Sequence, residues 1–335
     1  MSTRWLIWFC LLASGGLSAA EPPIGRTGAV TCDPTKVIGP ETCTKCHGQE
    51  LAVWRQTPHF TTYSELQRKP EAEEIARRMG LRSIKRGDLC IQCHYTMQRK
   101  GSRDKAIAGV SCESCHGAAA DWIAIHNDYG GPTATKESET AEHRAMRLKQ
   151  SMEHGMRNPA NLYLIARSCC SCHMVSHEAL VNVGGHHAGS DDFELVSWSQ
   201  GSLRHNFQTS GGLANQPSSR ERLRAMYVVG LITKLEYSLR STSAATEVAP
   251  YGFASAERVY RVRAQLAEVQ AKLGVELLDR ILETAYQVKL KTNNAAQLQE
   301  AAERISQLAL EFAFQAESLD LAAVDELLPP ESAYK

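Results

Sequence analysis

The last third of the chain carries a helical pattern of apolar residues. From about residue 218 onward, apolar positions recur at spacings of three and four, which places them on one face of an α-helix. The clearest series predicts a helix that ends at Gly274, a residue suited to the left-handed conformation of a C-cap. Its members are Val259, Val262, Leu266, Val269 and Leu273.

Three further helices are predicted around this one. An earlier helix covers residues 223–239, interrupted only by Gly230, and a later one covers 277–285. The last helix opens at Asn294, where Gln297 three positions on resembles a capping box. We expect these helices to form a bundle that buries its own apolar faces, with a docking or dimerisation surface as the alternative.

The chain before this bundle shows shorter and less regular patterns. Proline and glycine are frequent in residues 21–42, which predicts an extended, turn-rich lead-in. Helices are predicted over 71–79, ending at Gly80, and over 138–156, while strand-like alternation is nearly absent. The fold class we expect is mainly α, with a core of short helices and loops followed by the C-terminal bundle.

The N-terminus has the pattern of a secretory signal. Arg4 precedes a short apolar run over residues 5–12, and small residues up to Ala20 form a cleavage site. The run is too short for a membrane anchor, and Cys10 inside it lacks the small residue that precedes a lipoprotein cysteine. We therefore expect an exported, periplasmic protein with no transmembrane anchor in the mature chain.

A five-residue motif occurs four times between residues 43 and 173. Each copy reads C-x-x-C-H, the attachment signature of a c-type haem. The two cysteine thiols add to the vinyl groups of one porphyrin, and the adjacent histidine becomes the proximal iron ligand. The cysteines are Cys43 and Cys46, Cys90 and Cys93, Cys112 and Cys115, and Cys169 and Cys172, and the histidines are His47, His94, His116 and His173.

Zinc is the main alternative for paired cysteines. Four C-x-x-C pairs could in principle form two zinc sites. Histidine supplies only 12 of 335 residues, so its presence after all four pairs would arise by chance on the order of once in a million. Because zinc ligation gives no reason for a histidine at that one position, the sequence indicates four covalently bound haem c groups, each with its iron.

Charge and cysteine content add two further points. Lys plus Arg and Asp plus Glu each number 37, so the net charge is zero and gives no argument for nucleic acid binding. All twelve histidines lie between His47 and His205, so the metal chemistry ends near residue 205. Cys32 and Cys170 lie outside the motifs and either pair in a disulfide or remain separate thiols.

The second axial ligand of each iron decides between an electron carrier and an enzyme. Eight histidines lie outside the motifs, more than four irons require, so bis-histidine ligation is the economical expectation. The favoured distal candidates are His59, His126, His186 and His205, and the weaker ones are His143, His154, His177 and His187. Methionine would raise the reduction potential, but Met97, Met156 and Met174 fit a core equally well.

Local sequence supports three of the favoured histidines. Pro58 fixes the backbone before His59. Trp122 lies four residues before His126, which places the two side chains on one helical face. His186 follows two glycines, which would allow the backbone to approach a flat cofactor.

Three stretches resemble the tetrahaem cytochrome c554 family. They are residues 109–117 around the third motif, Trp54 with His59 after the first motif, and residues 155–159 before the fourth. The resemblance covers about residues 40–210 and does not obviously extend to the C-terminal helices.

The resemblance implies a mainly helical periplasmic electron carrier with closely packed haem pairs. In the family's archetype, which accepts electrons from hydroxylamine oxidoreductase, three irons are bis-histidine, and the resemblance carries their distal ligands onto His59, His126 and His205. The second haem of the archetype is five-coordinate. This sequence departs from it by offering His186, which could close the site on His94.

Two function classes follow. The favoured one is electron transfer between redox partner proteins, with no catalytic residue. The alternative is a haem enzyme that acts on a small nitrogen or sulfur oxyspecies at a five-coordinate haem on Cys90, Cys93 and His94. The residues that could donate protons there are Lys85, Arg86, Tyr95 and His154.

The predicted organisation has three parts. Residues 1–20 are the signal peptide, 21–215 the tetrahaem domain and 216–335 the C-terminal helical region. The C-terminal helices could also mediate self-association or partner docking.

Overall fold

The computed structural model describes residues 30–335, so the predicted signal peptide and its cleavage site lie outside the described residues. Across 30–335 the chain forms thirteen α-helices and one β-hairpin. The expectation of a mainly α fold, with short helices first and longer helices at the C-terminal end, is confirmed. None of these helices combines the length and the hydropathy that crossing a membrane requires.

Short helices and the hairpin make up the part of the chain that carries the four motifs. The helices are α1 (Gly48–Trp54), α2 (Pro58–Glu65), α3 (Pro70–Arg78), α4 (Asp88–His94), α5 (Cys112–His116), α6 (Ala141–Glu153), α7 (Leu162–His173), α8 (Glu178–Asn182) and α9 (Leu195–Gln200). Single 3₁₀ segments lie at Pro40–Lys45, Leu66–Arg68, Ile84–Arg86 and Gln208–Ser210. Helices α3 and α6 correspond to the two helices predicted in this region, and Gly80 follows α3 with a positive φ of 67°.

The β-hairpin was not expected from the sequence. Strand β1 (Thr96–Lys100) pairs antiparallel with β2 (Arg103–Ala108), and Gly101 turns between them with φ +63°. Most of its residues are polar and partly exposed, so no alternation of buried and exposed positions marks the strands. The hairpin leads from the second motif to the third, where the Thr96 hydroxyl donates to the Gly109 carbonyl at 2.7 Å.

Four longer helices form the C-terminal region. They are α10 (Arg220–Ser243), α11 (Pro250–Leu273), α12 (Glu276–Tyr286) and α13 (Ala295–Gln315), followed by 3₁₀ segments at Ala316–Ser318, Ala322–Leu327 and Glu331–Ala333. Helix α10 packs against α13, α11 and α7, and the apolar residues predicted to face inward on α11 are buried, except for Leu273, which packs at the edge of the core. Gly274 ends α11 in the left-handed conformation, which confirms the predicted C-cap.

Two details differ from the sequence-based expectation. Gly230 does not interrupt α10; a Cβ there would lie 2.7 Å from the Cβ of Leu195, so glycine permits the close approach of α9. Helix α13 begins after Asn294 as predicted, but no capping box forms. The Asn294 amide instead donates to the Gln297 side chain at 2.8 Å.

The C-terminal helices share one hydrophobic core with the fourth motif. Residues of α7 and α9 belong to the same buried cluster as residues of α10 to α13. At its centre the buried Tyr163 hydroxyl of α7 bonds to Glu236 of α10 at 2.8 Å and to Ser306 of α13 at 2.6 Å. Packing is thus continuous across residue 215, while the domain boundary there stays a prediction.

The two cysteines outside the motifs are free thiols in different surroundings. Cys170 is fully buried in the core between α7 and the C-terminal helices. The Cys32 thiol donates to the Glu113 carbonyl of the third motif at 2.9 Å. The structure therefore contains no disulfide between them within the described residues.

Candidate haem sites

Each motif histidine lies at a helix end. His47 precedes α1 as its N-cap residue, and the other three are the last residues of the helices that carry their cysteines. The second motif ends α4, the third forms α5 and the fourth ends α7. In the last three sites a turn of helix therefore holds the two cysteines and the histidine on adjacent positions of one element.

Every motif histidine faces one further histidine. The four ring-centroid distances lie between 6.2 and 6.4 Å. The pairs are His47 with His126, His94 with His186, His116 with His205, and His173 with His59. The four second histidines are the favoured distal candidates of the sequence analysis, whereas the four weaker candidates do not take part in these pairs.

These distances fit an iron between the rings. A coordinating imidazole nitrogen lies about 2 Å from a first-row metal and about 1.1 Å from its own ring centroid. Two imidazoles on opposite sides of one haem iron therefore have centroids roughly 6 Å apart. The spacing suits a six-coordinate haem, because each pair of histidines would supply the two axial nitrogen ligands of one iron.

Hydrogen bonds orient five of the eight imidazoles through Nδ1. A backbone carbonyl can only accept, so an Nδ1 that bonds to one carries the proton and leaves Nε2 available for a metal. The hydrogen bonds are His116 to Arg157 O at 3.3 Å, His126 to Ile123 O at 2.6 Å, His173 to Ser190 Oγ at 3.1 Å, His186 to His187 O at 2.7 Å and His205 to Leu203 O at 2.6 Å. His47 Nδ1 lies 3.5 Å from Glu50 Oε1.

Burial keeps several of these rings neutral. It is the main reason that the pKa values of His94, His116 and His173 fall to about 4, with neighbouring histidines adding to the effect in each case. Burial likewise lowers the pKa values of His59 and His126. A neutral imidazole has a free lone pair, which is the form that binds a metal.

Pairing does not follow the order of the sequence. His59 lies twelve positions after the first motif histidine, yet it faces the fourth, His173. His126 follows the third motif and faces the first. The i−4 backbone bond from His126 N to Trp122 O and a 5.2 Å ring contact bring these two side chains together as expected, although the segment is a series of turns.

The two glycines before His186 have a different setting from the one expected. A Cβ at Gly184 would meet the Leu180 carbonyl and the Met79 sulfur, and Gly185 has φ +80° beside the Arg78 guanidinium. Helix α3 is therefore the neighbour that requires small residues here, and the positive φ turns the chain so that His186 faces His94.

The motifs also contact one another. The Cys43 thiol of the first motif lies close enough to Cys112 of the third for the two to shift each other's pKa, and the same holds for Cys93 of the second and Cys172 of the fourth. The Ser168 hydroxyl on α7 donates to the Cys115 carbonyl at 2.9 Å, which joins the third motif to the fourth. The spatial order of the motifs is thus first, third, fourth, second.

The first and the fourth motifs differ in exposure. Cys46 of the first motif is exposed. At the fourth motif, the His173 ring stacks on Phe193 at 5.1 Å and meets Trp198 edge-on at 4.9 Å. Apolar rings from the segment before and within α9 thus enclose the fourth motif, and α10 covers the other side of α7.

Sequence reasoning gave no role to two residues of the third motif region. The Glu113 carboxylate, between the two cysteines, accepts bonds from the backbone N–H groups of Ile38, Gly39 and Ala119. Arg157 donates to three backbone carbonyls of α5. The only signal was that both residues lie in stretches that resemble the cytochrome c554 family.

Two of the proton donors considered for an enzyme, Lys85 and Tyr95, lie close together. Lys85 lies over the Tyr63 ring at 3.8 Å and 5.7 Å from the Tyr95 ring centroid. His154 follows α6 and bonds to the Gln150 carbonyl at 2.8 Å. Across residues 30–335, no group of three or more His, Cys, Asp or Glu side chains is arranged as a metal-ion site.

The region that contains the first three motifs is similar to known proteins. Residues 42–117 match the family model described as cytochrome c554 and c-prime. The predicted relation to the cytochrome c554 family is confirmed. Over these residues the chain is similar to a family of c-type cytochromes.

The cytochrome c554 match is partial. Cytochrome c-554 of Nitrosomonas europaea is 27% identical over 103 residues, which is 28% of this chain and 43% of the relative. The chain therefore aligns with less than half the length of this curated relative. No solved structure gives a significant match.

Proposed function

We propose that this chain is a tetrahaem c-type cytochrome that transfers electrons between redox partner proteins through bis-histidine haems. The observation that carries the proposal is the approach of a second histidine to each of the four motif histidines, at 6.2 to 6.4 Å between ring centroids. Four separate pairs at this one spacing suit four irons better than they suit any other arrangement of these side chains.

The proposed ligand set uses sixteen side chains. Eight cysteines of the motifs would hold the porphyrins, and each iron would bind one motif histidine and its partner across the ring. The proximal and distal pairs would be His47 and His126, His94 and His186, His116 and His205, and His173 and His59.

A haem iron with two imidazole ligands supplies one-electron transfer without a change of ligand. The protein contributes by holding the rings in place. Nδ1 hydrogen bonds fix five imidazoles, and burial lowers the pKa of five, His59, His94, His116, His126 and His173. The order of the motifs, from first through third and fourth to second, gives a connected set of sites. The exposed first motif supports partner contact at that end.

An electron carrier is favoured over an enzyme because of the second site. An enzyme would require an open axial position on the haem at Cys90, Cys93 and His94. His186 lies where it would fill that position, with its Nδ1 bonded to the His187 carbonyl. The arrangement therefore supports a closed site.

Export completes the proposal. A haem c protein with the N-terminal pattern of residues 1–20 would function in the periplasm, where its electron donor and acceptor would also be located. Each of these partners must be a redox protein able to exchange single electrons at an exposed haem edge.

Mass spectrometry and electron paramagnetic resonance of the purified protein test this function. The expected mass is that of the processed chain plus four haems, and the oxidised protein should give only low-spin signals. A colourless protein with the mass of the bare chain, or with bound zinc, would contradict haem binding. A high-spin haem in the untreated protein would contradict four bis-histidine sites.

A further inference from the structure

Two buried charges of opposite sign lie at the third motif. Glu113 is 1% exposed and Arg157 is 6% exposed. Within residues 30–335, neither side chain forms an ion pair, since every hydrogen bond made by the two charged groups goes to a neutral partner. An unpaired charge in such surroundings is screened weakly and acts strongly on nearby groups.

Arg157 holds the whole third motif. Its Nε donates to the Cys115 carbonyl at 2.8 Å, and its Nη2 donates to the Glu113 and Ser114 carbonyls at 2.9 and 2.7 Å. These are carbonyls near the C-terminal end of α5, where a helix is electronegative and favours a cation. One side chain thereby fixes the helix that carries both cysteines.

The backbone of Arg157 positions the motif histidine as well. Its N–H donates to the His116 carbonyl at 2.8 Å, and its own carbonyl faces His116 Nδ1 at 3.3 Å. Gly117 permits this approach, because a Cβ there would overlap with the Gly155 carbonyl. Arg157 therefore orients the ring that would bind the third iron and also holds α5 through its side-chain hydrogen bonds.

The Glu113 side chain makes a separate set of contacts. Its Oε1 accepts from Ile38 N at 3.0 Å and Ala119 N at 2.8 Å, and its Oε2 accepts from Gly39 N at 2.8 Å. Three backbone donors stabilise the ionised carboxylate without neutralising its charge. The side chain ties the segment before the first motif to α5.

We propose that Arg157 is a positioning residue whose charge raises the reduction potential of the haem on His116, and that Glu113 lowers it. The oxidised iron carries one more positive charge than the reduced iron, so a fixed cation favours the reduced state and a fixed anion the oxidised state. The proposal rests on the proposed function, because it requires haem at the third motif.

Three substitutions separate charge from structure. Arg157→Met removes the cation and its hydrogen bonds, Arg157→Lys keeps the charge with a smaller donor set, and Glu113→Gln removes the anion while it retains an oxygen acceptor. The readout is a potentiometric titration followed by visible and paramagnetic resonance spectra. A His205→Met variant marks the third haem, since methionine ligation raises its potential.

The expected shifts have opposite signs. Arg157→Met should lower the third potential by at least a tenfold change in the one-electron equilibrium constant, which is about 59 mV. Glu113→Gln should raise it, and Arg157→Lys should shift it by less than half as much as Arg157→Met. A shift of the same sign in Arg157→Met and Glu113→Gln, or no shift in either, would overturn the proposal.

The experiment distinguishes a failure of the proposed function from a failure of the proposed charge effect. A preparation without haem contradicts the proposed function itself. A preparation with four haems and unshifted potentials contradicts only the role of the two charges. If Arg157→Met does not fold, Arg157→Gln replaces it, because glutamine removes the charge and retains a hydrogen-bond donor, and Glu113→Gln tests the opposite sign.

Discussion

His94 and His186 face each other with ring centroids 6.4 Å apart, although His186 follows the third and fourth motifs in the chain. The segment that carries His186 returns to the second motif over α3, where Gly184 and Gly185 pass Met79 and Arg78. Long-range packing therefore places this histidine opposite the histidine of the second motif.

Replacing His186 with alanine should open that site. We expect one of four haems to become high-spin and to bind carbon monoxide or nitric oxide, because its iron loses one axial ligand. Absorption and paramagnetic resonance spectra measure the change. The control is His187→Ala, whose exposed side chain lies next in sequence; unchanged low-spin spectra for both variants would mean that His186 is not a ligand.

Gly109 is expected to tolerate no side chain. A Cβ there would overlap with the backbone carbonyl of His59, which accepts from Val110 N at 3.1 Å. Gly109→Ala should therefore lower the free energy of unfolding by about 1–3 kcal/mol, as overpacking does, and perturb the haem on His173, which His59 faces. Denaturant unfolding and the low-spin spectrum measure the two effects.

Gly48→Ala is the matched control for this prediction. The same methyl group at Gly48, in the first turn of α1, would meet no heavy atom within 4 Å, and its φ is not positive. Alanine there should be neutral or stabilising. Equal destabilisation of both variants would contradict the steric explanation.

Stability should depend on pH through Glu139. Hydrogen bonding from Arg147 is the main cause that lowers the Glu139 pKa to about 2, and His143 adds to it. Because the folded pKa lies below the ordinary value of 4.5, this carboxylate stabilises the fold above about pH 4.5, and the stabilisation is lost as the pH falls toward 2. Arg147 also donates to the His126 carbonyl, which links this pair to the first site.

Glu139→Gln tests that dependence. The variant should unfold more readily than the natural protein at pH 7, and the difference should shrink toward pH 2. Thermal unfolding of the haem-loaded protein at several pH values measures it. Glu142→Gln, an exposed change on α6, serves as the control, and a difference that does not vary with pH would rule out the ionised carboxylate as the cause.

Truncation after residue 215 should destabilise the fourth site. Helix α10 covers α7, and removing it would expose a core that includes Tyr163 and Cys170. We expect a poorly soluble fragment with fewer than four low-spin haems, as measured by haem content per chain. A soluble fragment with four low-spin haems would instead establish the predicted boundary as that of an independent domain.

Much of the fold could be predicted from local sequence. The C-x-x-C-H motifs, the helix that ends before Gly80 and the C-cap at Gly274 each depend on neighbouring residues, and the two helix ends were predicted correctly. The hairpin was missed because its strands expose polar residues on both faces. Short-range patterns do not report such strands.

Non-local contacts explain what the sequence left open. The distal histidines could be favoured singly, but which motif each one faces depends on the packing of distant segments, as the approach of His59 to His173 demonstrates. The buried contacts of Glu113 and Arg157 are of the same kind. A buried charge that bonds to backbone groups leaves no periodic pattern in the sequence.

The shared core of α7 and the C-terminal helices implies an order for haem attachment and helix packing. Synthesis proceeds from the N-terminus, so Cys169 and Cys172 exist before the helices that later pack against their own helix. Thioether formation requires those thiols to be reachable by the maturation machinery. Attachment at the fourth motif should therefore precede docking of the C-terminal helices, which would act as the closing step of biogenesis.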